Sequence, residues 1–171
     1  MINTKENIGG FYMTQKSLSN RMKLIIVLLG LCGVALFGIA VPVIGLDLVD
    51  SYPEFSYCFL PWLIFILIMA VPCYAVLVLG WKIATSIGDD NSFTEQNSKR
   101  LKNVSVLSLV TSIYLFVGTT VFLLLSMCHF TMFLGACLVS FVGIAISVAS
   151  AVLSYLVKKA AALQEQSDLT I

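Results

Sequence analysis

The chain has 171 residues, of which 59% are apolar and only 11% are Asp, Glu, Lys or Arg, with a formal net charge of +1. A soluble domain averages about 45–50% apolar and about 25% charged, so these proportions, with a mean hydropathy of +0.99, exclude a water-soluble globular domain. Near-neutrality, with an isoelectric point of about 7.6, supplies no basic field for direct nucleic-acid binding.

In chain order, residues 1–23 read as a cytoplasmic N-terminal segment carrying Lys5, Lys16, Arg21 and Lys23. Met13 is as good a start as Met1. Roughly 20 apolar residues in a helix cross a bilayer core of about 30 Å, and four such stretches follow, at about 24–46, 59–81, 104–127 and 132–157. None contains Asp, Glu, Lys or Arg. Uninterrupted apolar runs cannot satisfy their backbone as an open sheet in lipid, and the alternating ten-residue segments of a barrel are missing. The cations before the first span, followed by Gly38-Ile39-Ala40, also fit a cleaved leader, but the apolar run continues through Val41–Leu46 to full spanning length. The expected fold is an all-α membrane protein: an antiparallel bundle of four transmembrane helices, with residues 24–157 as its membrane domain.

Charge sets the orientation. All ten Lys and Arg fall before span one, in the loop 82–103, or in the tail 158–171, whereas the loop at 47–57 carries Asp47, Asp50 and Glu54. Cations favour the cytoplasmic side, which puts both termini and the middle loop inside. Trp62 and Trp81 stand 19 positions apart, or about 28 Å along a helix, a spacing that suits the two interfacial belts.

Within the middle loop, Gly88-Asp89-Asp90-Asn91 reads as a turn. Ser92 with Glu95 forms a capping box, and Thr94 with Phe93 as the preceding apolar staple is an equally good helix start. Either way a helix runs from here into span three and projects about two turns beyond the membrane, presenting Asn97, Lys99, Arg100 and Lys102.

The spans are chemically plain. Proton relays and ion pathways need ionisable groups at depth, and His129, the one histidine, sits at the outer rim without companion ligands. Gly143, Ser147 and Ala151, at i, i+4 and i+8, form a small-residue stripe for helix packing within the bundle, or alternatively for a homodimer. Pro72 should kink span two beside Cys73 and Tyr74. Cys32, Cys58, Cys73, Cys128 and Cys137 contain no CxxC pair; Cys58 and Cys128, at the outer ends of spans two and three, are placed for a bridge that geometry must decide. No phosphate loop, HExxH or GxSxG occurs. No catalytic, cofactor-binding or metal-binding residue is therefore expected. An intramembrane enzyme would have only Tyr74, Thr111, Tyr114 and Tyr155 to work with.

The segment Ser92-Phe93-Thr94-Glu95-Gln96-Asn97-Ser98-Lys99-Arg100-Leu101-Lys102 and the tail Leu163–Ile171 resemble the signature segment and ending of a bacterial membrane family, domain of unknown function 2975. The resemblance covers roughly residues 13–171, and Gln166-Ser167 stands where more acidic and amide-rich residues are the pattern. It implies four spans and no catalytic residues. Genes of such proteins often lie beside a small helix-turn-helix regulator, which implies a membrane partner that tethers or inhibits a cytosolic transcription factor. The functional expectation is a regulatory or scaffolding protein. Its cytosolic docking face would comprise Phe93, Thr94, Glu95, Asn97, Arg100 and Leu101, together with Leu163, Glu165, Asp168 and Ile171. A small transport or export accessory, or a self-protection protein against a membrane-active peptide, is the other reading.

Overall fold

The structure is a computed structural model describing residues 15–168. Helix α1 (Gln15–Ala35) passes through one π-helical turn, Leu36–Ala40, into α2 (Val41–Ser51). A 3-10 turn at Pro53–Phe55 precedes α3 (Ser56–Gly88), α4 (Glu95–Leu124) and α5 (Phe130–Asp168). Four stretches are long and apolar enough to cross a membrane: Lys16–Ser51, Ser56–Gly88, Glu95–Leu124 and Phe130–Gln166. At 33 and 39 residues, α3 and α5 measure about 50 and 58 Å, well beyond the hydrocarbon thickness. Their surplus turns extend out of it. Within the stretch 82–103 the helix expected to lead into span three starts at Glu95, and the surplus turns of α3 carry helix through Gly88, so that the non-helical loop is only residues 89–94.

Proline has its clearest effect in the first span. Pro42 has no N–H to give the preceding turn, and Val41 reaches past Phe37 to donate to Leu36 O; this longer bond widens the helix locally. By contrast α3 is continuously helical through Pro61 and Pro72.

The α3–α4 connection is tight. Asp90 adopts φ 64°, a left-handed conformation that Asp tolerates better than most residues. Asn91 N donates back to Ser86 O at 2.9 Å. Of the two candidate caps, Thr94 is the one used: extended at φ −121°, ψ 151°, it accepts from Asn97 N through Oγ1 at 3.2 Å. Thr94→Ala should therefore cost about 1 kcal/mol, and Thr94→Ser and Ser92→Ala close to nothing. Denaturant unfolding in detergent micelles, followed by helical circular dichroism, measures this.

Neighbouring helices run in opposite senses. Along α1 and α2, Ser19 Oγ donates to Ala84 O at 2.6 Å, Gly30 O accepts from Tyr74 OH at 3.3 Å, and Gly45 lies under Phe59. From α4 to α3, Arg100 reaches Lys82 O at 3.1 Å and Tyr114 reaches Phe65 O at 3.3 Å, while Trp62 Nε1 donates to Met127 O at 2.9 Å. Between α4 and α5, Ser98 pairs with Ser154 and Ser105 with Ser147. Contacts follow chain order: α1 and α2 lie on α3, α3 on α4, and α4 on α5. Among the described residues no backbone contact joins α5 to α1, α2 or α3. Backbone contacts thus join the helices in chain order.

The interior inverts the soluble pattern. Among the described residues only Cys58, Phe65, Ala84 and Val104 are buried apolar ones, whereas Ser19, Asn97, Ser98, Ser112, Thr119, Ser140, Ser147, Ser150 and Ser154 are buried polar ones. In lipid the apolar side chains gain little by turning inward, and small residues let backbones approach.

Candidate functional site at the basic end

The hairpins gather Lys16, Arg21, Lys23, Lys82, Lys99, Arg100, Lys102, Lys158 and Lys159 at one end of the molecule. Asp47, Asp50 and Glu54 lie towards the other. At the basic end α1 is fastened to α3: Ser19 is 2% exposed, and a Cβ on Gly88 would come within 2.7 Å of its hydroxyl. Lys23 Nζ sits 5.6 Å from the centroid of Trp81.

Asn97 organises the loop. It is 2% exposed, and its Nδ2 donates to Ser86 Oγ at 2.9 Å, Asn91 O at 3.0 Å and Ser92 O at 3.2 Å. Its Oδ1 accepts from Arg100 Nη1 at 2.8 Å, and Arg100 also donates to Lys82 O. One side chain thus ties Ser86 of α3, the loop and the first turn of α4 together, while the last carbonyls of α3 accept from the loop backbone: Thr85 O from Asp89 N, Ser86 O from Asn91 N and Ile87 O from Asp90 N. The last carbonyls of a helix otherwise lack donors, and a guanidinium near them is favourably placed against the helix dipole.

This arrangement divides the residues expected to form a docking face. Asn97 is a buried strut, a correction to its reading as a docking contact: a side chain committed to four partners has nothing left to offer. Arg100, half-buried, is largely spent on the same network, Thr94 is the helix cap, and Leu101 is half-buried. Phe93 stays 55% exposed. Glu95 is exposed and pairs with Lys99 at 3.0 Å. In α5, Leu163 is 58% exposed and Glu165 is exposed; Asp168 is the last residue of the helix and Ile171 lies outside the described residues. With Ser154 opposite Ser98, α5 continues about ten residues past the start of α4, or about 15 Å.

Between α4 and α5 the seam is built from small residues of both helices, Gly143 and Ser147 of the expected stripe among them. Ser98 Oγ donates to Ser154 O at 2.8 Å and Ser154 Oγ to Ser98 O at 2.7 Å; Ser147 Oγ reciprocates with Ser105 O at 2.8 Å. Farther along, a Cβ on Gly143 would collide with the Ser112 hydroxyl. Gly143 and Ser147 therefore face α4 in the same chain. Ala151 is exposed and off the seam, which passes instead through Ser150 and Ser154, correcting the i+8 member of the stripe. Ser140 Oγ is the one buried side-chain polar atom without a partner among the described residues.

Between α3 and α4 the contact is aromatic. Phe65 lies on Gly118, stacked on Tyr114 with centroids 4.7 Å apart, and Trp62 stacks on Phe122 at 4.8 Å. The hydroxyls considered for intramembrane chemistry are directed to carbonyls: Tyr74 to Gly30, Thr111 to Leu107 and Tyr114 to Phe65. Tyr155 stands 66% exposed. All five cysteines, Cys58 and Cys128 included, carry free thiols. Among the described residues no three His, Cys, Asp or Glu converge as a metal site.

A family model described as "Protein of unknown function (DUF2975)" matches residues 43–171. The chain is also similar to the uncharacterized membrane protein YoaS of Bacillus subtilis (strain 168). The two are 26% identical over 152 residues, which cover 88% of this chain and 95% of that protein. No solved structure matches.

Proposed function

The chain belongs to the DUF2975 family of integral membrane proteins, and from that premise we propose that it is a non-enzymatic regulatory or scaffolding partner of a cytosolic protein. In this reading both termini and the 89–94 loop face the cytoplasm of a bacterium. Nine cations at one end support that orientation by the positive-inside rule.

The carrying observation is Phe93. It is 55% exposed on a loop that Asn97 and Arg100 hold with five side-chain hydrogen bonds. A large apolar side chain presented from a fixed backbone binds without first losing loop entropy, and aromatic anchors of this kind dominate interface energetics. Glu95 lies beside it, and Leu163 on the projecting α5 stands at the same end. A non-enzymatic role is supported by the commitment of the tyrosine and threonine hydroxyls at depth to backbone carbonyls.

The partner class in this reading is a small helix-turn-helix regulator, as the resemblance to the family implies. Co-expressed with such a regulator, the full chain is expected to retain it through detergent purification, and Phe93→Ala to lower retention about tenfold or more, the scale of a lost aromatic anchor. Equal retention by wild type and Phe93→Ala would remove Phe93 as the anchor. Absence of retention by either chain would remove the regulator as the partner.

A further inference from the structure

We propose that the outward face of α1 at the basic end is a binding site for one anionic glycerophospholipid. This goes beyond the partner reading and does not depend on it. Ser17, Asn20, Arg21, Leu24 and Ile25 line a shallow, open recess along α1. Their spacing, i, i+3, i+4, i+7 and i+8, is that of one helix face. The face opposite is the one packed on α3: Ser19 bonds Ala84, Ile26 lies against Gly80, Gly30 against Leu77 and Gly33 against Tyr74. The recess therefore looks away from the protein, into the membrane and its headgroup layer.

Polarity within the recess is ordered as a phospholipid is. Ser17, Asn20 and Arg21 occupy its outer turn, and Leu24 and Ile25 begin the apolar run one turn deeper. Depth is fixed by the neighbours: Ser19 is level with Ala84 and Lys23 with Trp81, an aromatic of the kind that marks the headgroup boundary. Arg21 is exposed. Three cations near it are engaged, Lys23 on Trp81, Lys99 on Glu95 and Arg100 on Asn97 and Lys82. The Arg21 guanidinium is left to face outward, with the planar fork that takes two phosphate oxygens at once. Ser17 and Asn20, on the same turn, supply a hydroxyl and an amide for headgroup hydroxyls or ester oxygens. An acyl chain continues along Leu24 and Ile25. A zwitterionic headgroup would set its own cation against an end that holds nine Lys and Arg and five Asp and Glu, which is why the site selects an anionic lipid.

Native mass spectrometry of the purified full chain tests this, with equimolar phosphatidylglycerol and phosphatidylcholine of identical acyl chains. Wild type is expected to retain phosphatidylglycerol preferentially. Arg21→Gln should lower that retention about fivefold, the value of one interfacial cation, with a smaller loss for Ser17→Ala/Asn20→Ala and none for Lys159→Gln. Should Arg21→Gln fail to fold, Arg21→Lys replaces it: loss of the bidentate contact must lower retention, and unchanged retention in both Arg21→Lys and the double variant overturns the site. Equal loss in Arg21→Gln and Lys159→Gln overturns it as well, since diffuse charge then explains the binding. So does equal retention of the two lipids, or displacement of phosphatidylglycerol by inorganic phosphate alone.

Discussion

Asn97→Ala is expected to lower the unfolding free energy by about 3 kcal/mol, as much as a large core truncation. A typical net hydrogen bond contributes about 0.5–1.5 kcal/mol, and a buried group left without its partner costs about 1–3 kcal/mol. Alanine here removes the Nδ2 amide, whose two N–H groups are shared among Ser86 Oγ, Asn91 O and Ser92 O, and strips Arg100 of its Oδ1 acceptor. Water can reach the rim of the loop and recover part of the loss, which keeps the figure below the simple total. Asn97→Asp separates size from chemistry. It retains the acceptor for Arg100 but turns a carboxylate towards oxygens that need donors, so it should be no better than alanine. The measurement is denaturant unfolding in micelles with Thr94→Ala as the reference. A change in Asn97→Ala of less than about 0.5 kcal/mol, the range of ordinary surface substitutions, would mean that the network is not what holds the loop.

Asn97 also shows where sequence reasoning stops. The four spans are legible because lipid rewards a run of apolar residues, and that property is local. Two good caps, Ser92 and Thr94, are local as well, and their competition is decided only by which backbone turns extended before Glu95. Whether Asn97 faces solvent or folds back onto α3 depends on a residue eleven positions earlier, Ser86, and on the left-handed turn at Asp90. No periodicity reports that. Pro72, expected to kink span two, stands inside a helix that is continuous through it, while Pro42 is matched by a π-helical turn that α1 and α2 absorb without ending. A hydrogen-bond register that can lengthen by one residue is invisible in composition. Exposed Phe93, by contrast, follows from the same loop chemistry that made the segment recognisable.

The α4–α5 seam was legible and was read with the wrong period. Ser98, Ser105, Ser112 and Thr119 recur every seven residues, and so do Ser140, Ser147 and Ser154. Steps of four advance a helical position by about 40° each, so a stripe at i, i+4 and i+8 walks off a straight interface. Alternating steps of three and four stay on it. Ala151 lies where the four-step count leads and is exposed; Ser150 and Ser154 lie where the seven-residue count leads and are buried.

What that seam demands is small size, with hydroxyl chemistry second, and the two are separable. Gly143→Leu is expected to destabilise the α4–α5 pair by about 3 kcal/mol or more. Overpacking a close-packed site by even a few methylenes costs about 1–3 kcal/mol. Here the first added atom already meets the Ser112 hydroxyl, with Ser112 Cβ at 3.4 Å and the backbone oxygen of Ser108 at 3.8 Å behind it. A helix pushed away at Gly143 also stretches the Ser105–Ser147 contacts one turn along, where Ser147 Oγ reaches Ser105 O at 2.8 Å. Deleting hydroxyls should do much less: interhelical hydrogen bonds in membranes average about 0.6 kcal/mol, so Ser105→Ala/Ser147→Ala should cost about 1 kcal/mol. Ser140→Ala, which removes a buried hydroxyl with no partner, should cost nothing or stabilise slightly. Unfolding midpoints give the energies, and spin-label distances between α4 and α5 report the separation directly. Wild-type spacing and stability in Gly143→Leu, together with a large loss in the serine pair, would reverse the order of the two terms and make the seam a hydrogen-bonded joint. The expected order makes it a steric one, in which serine is chosen because it is nearly as small as alanine and can still bond the carbonyls that close approach brings within reach.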